Sequence, residues 1–106
     1  MRKLRCYIDY MKEEMEDVKK YLRFAEKAKV DDSAGASLAV KLAEQEMQHA
    51  KDWHDLIVQE IEKQKRMLAE KGQEVPPMML EWWKDEHAEY VEKVSKLKHM
   101  AEMLKN

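Results

Sequence analysis

Glu46-Met-Gln-His49 sets a carboxylate and an imidazole three residues apart in a stretch whose flanks read as apolar helix. At that spacing both side chains leave one face of an α-helix a turn apart, so they can share a metal ion or bridge a pair of ions. The stripe Leu38, Leu42, Glu46, His49, Trp53, Ile57, Ile61 and Leu68 runs at steps of three and four. It predicts a core-facing surface interrupted by these two ionisable groups. Two arrangements relieve an ionisable pair in such a place. One is a bound cation, and the other is a hydrated or internally paired polar layer that sets helix register. The Glu-x-x-His spacing is common by chance in a glutamate-rich chain, and His54, His87 and His99 have a lysine at that offset instead. Placement on the stripe is what gives Glu46 and His49 their weight.

Glu14 supplies another carboxylate from the preceding helix, where it flanks the apolar stripe Ile8, Met11, Met15, Val18, Leu22 and Ala25. Tyr21 follows two turns later on the same face, then Phe24-Ala25 and Ala28. Taken with Glu46, His49 and Ala50, this pattern resembles the ferritin-like superfamily. Helical pairs of that family supply one Glu from the first helix, an aromatic about two turns on, and a Glu-x-x-His from the second. The resemblance covers about Met11 to Leu56. It implies Glu14 as a terminal ligand, Glu46 as a bridging carboxylate, His49 as the nitrogen ligand and Tyr21 as a nearby hydrogen-bonding or redox-active phenol. The implied cofactor is iron, with manganese or zinc also compatible with such donors.

A complete di-iron site takes two such helix pairs, and this chain has one. It is therefore closer to half-bundle members such as the encapsulated ferritins and short rubrerythrin-like chains, in which two copies pair. The resemblance implies an all-α, three-helix half bundle completed by oligomerisation. Its site would be shared across a homodimer, with ferroxidase-like oxidation of Fe(II) by oxygen if iron is bound. Glu86 and His87 are secondary metal candidates without the family spacing, and His87 reads more simply as a histidine hydrogen-bonded to a neighbour. The chain also resembles small ferritin-like helical proteins encoded by phages and prophages. The competing expectation is a structural or adaptor oligomer with no catalytic activity, which binds another protein through a methionine/tryptophan surface.

The elements that must position these residues are three helices in one domain over residues 1–106, at about 3–29, 33–71 and 77–104. Asp32 or Ser33 can cap the second helix, and Lys71-Gly72 reads as its end. Val75-Pro76-Pro77 restarts the chain, because proline suits a first helical turn and disfavours helix just before it. The third stripe is Leu80, Trp83, His87, Tyr90 or Val91, Val94, Leu97, Ala101 and Leu104. At about 1.5 Å per residue the middle helix reaches nearly 60 Å and its neighbours roughly 40 Å. It is expected to overhang from about Gln59 to Lys71, with Ile61, Met67 and Leu68 as a thin stripe there. Trp82 and Trp83 sit about 100° apart on a helix and cannot both enter one core. With Met78, Met79, Met100 and Met103 they predict a second apolar surface and a homo-oligomer, dimer or higher.

Composition narrows the function classes. Twenty-two acidic and 20 basic residues leave a net charge of −2, against nucleic acid as the main partner. No run of roughly eighteen apolar residues predicts a membrane span. Asp9, Lys12, Glu13 and Glu14 interrupt any signal-peptide core behind the basic opening, so the cytoplasm is the expected compartment. Cys6 is a single cysteine and has no internal disulfide partner. No Ser/His/Asp or Cys/His pairing, glycine-rich phosphate loop or thiol pair supports a hydrolase, kinase or thioredoxin-like reading. His54 and His99 read as surface residues.

Overall fold

The computed structural model describes residues 2–105, which form three helices with no strand among the described residues. These are α1 (Arg2–Ala28), α2 (Ser33–Glu70) and α3 (Pro77–Lys105). The principal extents are 62 × 18 × 17 Å, so the length of the molecule is essentially that of α2.

Local chemistry sets the joints. The Asp32 carboxylate accepts from the Gly35 N–H at 2.9 Å and caps α2, satisfying a donor that the first turn leaves free. A Cβ at Gly35 would meet that carboxylate, which would have to rotate aside to make room. At the other end Gly72 has φ of 70°, its N–H donates to the Ala69 carbonyl at 3.0 Å, and the Gln73 N–H donates to that of Leu68 at 2.7 Å. This is a Schellman closure, which favours a residue without a Cβ at its left-handed position. The Pro76 carbonyl accepts from Met79 and Leu80, and Pro77 opens α3 where a missing N–H loses nothing.

α1 lies antiparallel along α2. Lys3 meets Glu60, Tyr10 meets Trp53 and Glu14 meets His49, so each step along one helix matches an equal step back along the other. The expected α1 stripe is buried in full, and Leu4 and Ala28 extend it to both ends. On α2 the buried face is Ala36, Ala39, Val40, Ala43, Met47, Ala50, Ile57, Glu60 and Ile61. The buried face is therefore rotated roughly 100° from the expected stripe between residues 38 and 53, and the two coincide at Ile57 and Ile61. Leu38 is 57% exposed, and Ile57 and Ile61 are the only members of that stripe fully buried. Alanine is a weak marker of an interior face in a sequence, yet its small side chain lets two helices pack closely, and that governs here.

α3 lies against both other helices and buries only Met79, Leu97 and Ala101 completely. Tyr90 turns inward and Val91 outward, which resolves the ambiguity at that turn. Trp82 and Trp83 are both half-buried, because they serve different neighbours. Arg5 of α1 sits 6.0 Å from the Trp82 ring, and Trp83 packs 5.8 Å from the ring of His54. The expected second apolar surface is reduced by this, although Met78, Val91 and Met103 remain exposed. The overhang of α2 is also shorter than expected, since Glu60 and Ile61 are buried and Leu68 packs on the core. No helix is long and apolar enough to cross a membrane.

Candidate metal centre

The antiparallel register of α1 and α2 brings Glu14, Glu46 and His49 together. The His49 Nδ1 lies 3.8 Å from Glu14 Oε2 and 3.6 Å from Glu46 Oε1. One donor atom from each residue falls within 4.8 Å of the others. The two carboxylate side chains are 24% and 22% exposed and the imidazole 55%. The trio is thus not in the middle of the core, as the α2 stripe predicted, but at the edge of the α1–α2 seam with its imidazole open to solvent.

These separations are too long for good hydrogen bonds. Glu14 Oε2 is buried and has no hydrogen-bond partner. Among the described residues neither carboxylate pairs with a lysine or arginine. A buried acceptor left unpaired costs about 1–3 kcal/mol, more when charged. Donors around one transition-metal ion, at bond lengths of about 2.0–2.2 Å, stand roughly 3–3.5 Å apart. The two histidine–carboxylate separations are slightly wider than that, and all three donor atoms fall within 4.8 Å of one another. The donor set therefore fits a divalent cation.

The surroundings are aromatic and apolar. Trp53 stacks obliquely on Tyr10 and Tyr7, at ring separations of 4.9 and 5.6 Å. Leu38, Leu42 and Leu56 lie within about 20° of His49 around α2, and Tyr21 lies within about 20° of Glu14 around α1. Leu38, Leu56 and Tyr10 are exposed, so an apolar stripe of the α1–α2 hairpin faces outward on both sides of the trio. The trio is also near the middle of that hairpin. Glu14 is central in Arg2–Ala28, and Glu46 and His49 are central in the part of α2 from Ser33 to Ile61 that runs beside it.

The other expected site residues are placed elsewhere. Tyr21 is half-buried against the core, and no side-chain hydrogen bond among the described residues joins it to the trio. Glu86 pairs with Lys12 at 3.3 Å. The His87 Nδ1 lies 2.9 Å from the His54 Nε2, so His87 is hydrogen-bonded to a neighbouring helix and not drawn to the trio. His99 is exposed as expected, but His54 is not a surface residue. Its side chain is 16% exposed, stacked on Tyr90 at 4.7 Å and within 3.3 Å of the Asp55 carboxylate. The displaced α2 stripe hid this, because residue 54 falls on the true inner face between Ala50 and Ile57. Hydrogen bonding from Lys51, then from His54, holds the Asp55 carboxyl below its ordinary value, and burial pushes the Tyr90 hydroxyl up.

Comparison of the chain with protein-family models, curated proteins and solved structures returns no match.

Proposed function

We propose that the chain is a ferritin-like metal-binding protein, in which Glu14, Glu46 and His49 hold iron or another divalent transition metal. A second copy of the chain completes the site across a two-fold axis. The observation that carries this reading is the buried Glu14 oxygen with no hydrogen-bond partner, facing a second carboxylate and an imidazole. Two further features support the dimer. The trio is central in the hairpin, so a two-fold through it leaves neither helix pair unmatched, and the exposed apolar stripe around it is otherwise uncovered. Pairing two such hairpins makes a four-helix bundle with inward-facing carboxylates and imidazoles.

In this site Glu14 would be a terminal ligand, Glu46 the carboxylate shared between two ions and His49 the nitrogen donor. Two carboxylates and one imidazole suit Fe(II), Mn(II) or Zn(II). A ferrous pair, when bound, supplies the electrons for ferroxidase-like reduction of oxygen. The carboxylates offset the cation charge inside an apolar seam. His49 donates through a lone pair that only its neutral ring carries, so binding weakens as pH falls. The exposed leucines and tyrosines also fit a helical oligomer with no chemistry, and the two readings part at the metal.

Elemental analysis of untagged protein purified without chelator separates them. The metalloprotein should carry a transition metal near one, or one-half, per chain, or take it up from anaerobic Fe(II). Glu46→Ala should abolish binding and keep the helical circular dichroism. Unchanged metal in that variant removes the site assignment, and a strict monomer at micromolar concentration with metal bound removes the two-fold. No uptake at all leaves the structural oligomer.

A further inference from the structure

The seam between α2 and α3 holds an arrangement independent of the metal reading. His54 and His87 face each other at 2.9 Å from opposite helices, half-buried, with Trp83 and Tyr90 packed around them. Residues 49 and 54 are about 140° apart around α2, so this pair lies away from the trio. We infer that His54 and His87 form a proton-operated latch, which holds α3 on the α1–α2 hairpin at neutral pH and releases it when both rings are charged.

The hydrogen-bond chain dictates the behaviour. Asp55 Oδ1 lies 3.3 Å from His54 Nδ1. A carboxylate only accepts, so His54 Nδ1 carries the proton and its Nε2 is a lone pair. His87 Nδ1 must then be the donor to His54 Nε2. A first proton, added at the outward Nε2 of His87, leaves that bond intact. A second can go only onto His54 Nε2, which sets two N–H groups against each other and two cations side by side. The docked state thus binds one proton fewer than the released state, and docking weakens as pH falls through the imidazole range.

Of the charges facing the pair only Asp55 favours a charged His54, and it sits at Nδ1, away from the nitrogen where the two N–H groups would meet. On α2, Asp55 is already engaged by Lys51 at 2.9 Å. On α3, Glu86 beside His87 is engaged by Lys12 of α1, and Tyr90 is neutral in this range. The element that would move is the one with the least buried surface, since α3 is held by Met79, Leu97, Ala101 and a rim of half-buried side chains.

Amide hydrogen exchange read by mass spectrometry on the metal-free full chain tests the latch. After correction for intrinsic exchange rates, α3 peptides should lose close to tenfold protection per pH unit below about pH 6, the limit for one extra proton. Peptides of α1 and α2 away from the seam should change much less. His87→Asn places an amide nitrogen where Nδ1 stood and can flip to offer either a donor or an acceptor, so it should flatten the pH dependence of α3. An equally steep loss in that variant, or none in the wild type, overturns the latch. A second measurement needs no variant. Nitrogen-15 NMR at pH 8 should find both rings as the Nδ1–H tautomer, and an Nε2–H tautomer on His54 overturns the proposed chain.

Discussion

The two sides of α2 are built from different materials. Towards α1 the seam is a continuous apolar contact: Leu4 to Ala28 on one helix, and Ala36 to Ile61 with its many alanines on the other. Towards α3 the fully buried contribution shrinks to Met79, Leu97 and Ala101, and polar links take over, from His54 with His87 to Lys105 with Glu44 at 2.6 Å. Apolar burial stabilises in proportion to area and is indifferent to pH, whereas exposed ion pairs contribute about 0–1 kcal/mol. The difference teaches a division of labour. The α1–α2 hairpin is a rigid frame for the Glu14, Glu46 and His49 trio at its outer edge, and α3 is a more weakly held cover on the other side.

Truncating one leucine in each seam separates their contributions to stability. Leu22→Ala, at a position with no exposed surface, should cost about 3–4 kcal/mol in urea unfolding. Leu97→Ala should cost less, about 2 kcal/mol, because the site is shallower and α3 can resettle. Equal costs would mean that α3 is as integral as the hairpin. A smaller effect, of opposite sign, is expected at the edge of the frame. Glu14→Gln removes a charge whose buried Oε2 has no hydrogen bond and whose nearest cationic group is the His49 ring at 3.8 Å, so without metal it should leave stability unchanged or raise it by about 1 kcal/mol, while metal binding is lost. Marked destabilisation of the metal-free protein would show that the His49–Glu14 pair already holds that charge. The least effect belongs to the cover's surface links. Lys96→Ala should shift stability by less than about 0.5 kcal/mol, and a larger shift would give the Lys96–Glu92 pair a structural weight that its exposure does not predict.

Much of this architecture is local and could be read along the chain. The three helices end within a residue or two of the sequence boundaries because Asp32, Gly72 and the Pro76-Pro77 pair act on groups a few residues away. The α1 stripe was legible because its leucines, methionines and valines recur at helical spacing with charges between them. Glu14, Glu46 and His49 were nominated from spacing and resemblance, without knowledge of which faces would meet.

Tertiary structure decided the rest. Only the antiparallel register of α1 on α2 sets Glu14 opposite His49, and only close packing explains why α2 buries its alanines and turns Leu38 outward. That choice follows from how near two helices can approach, a property of the pair and invisible in either helix alone. The same rotation carries His54 inward to meet His87 on a helix 33 positions later. Sequence determined where the helices are and which groups could ligate. Packing determined which carboxylate oxygen is left without a hydrogen bond and which histidines meet across the α2–α3 seam.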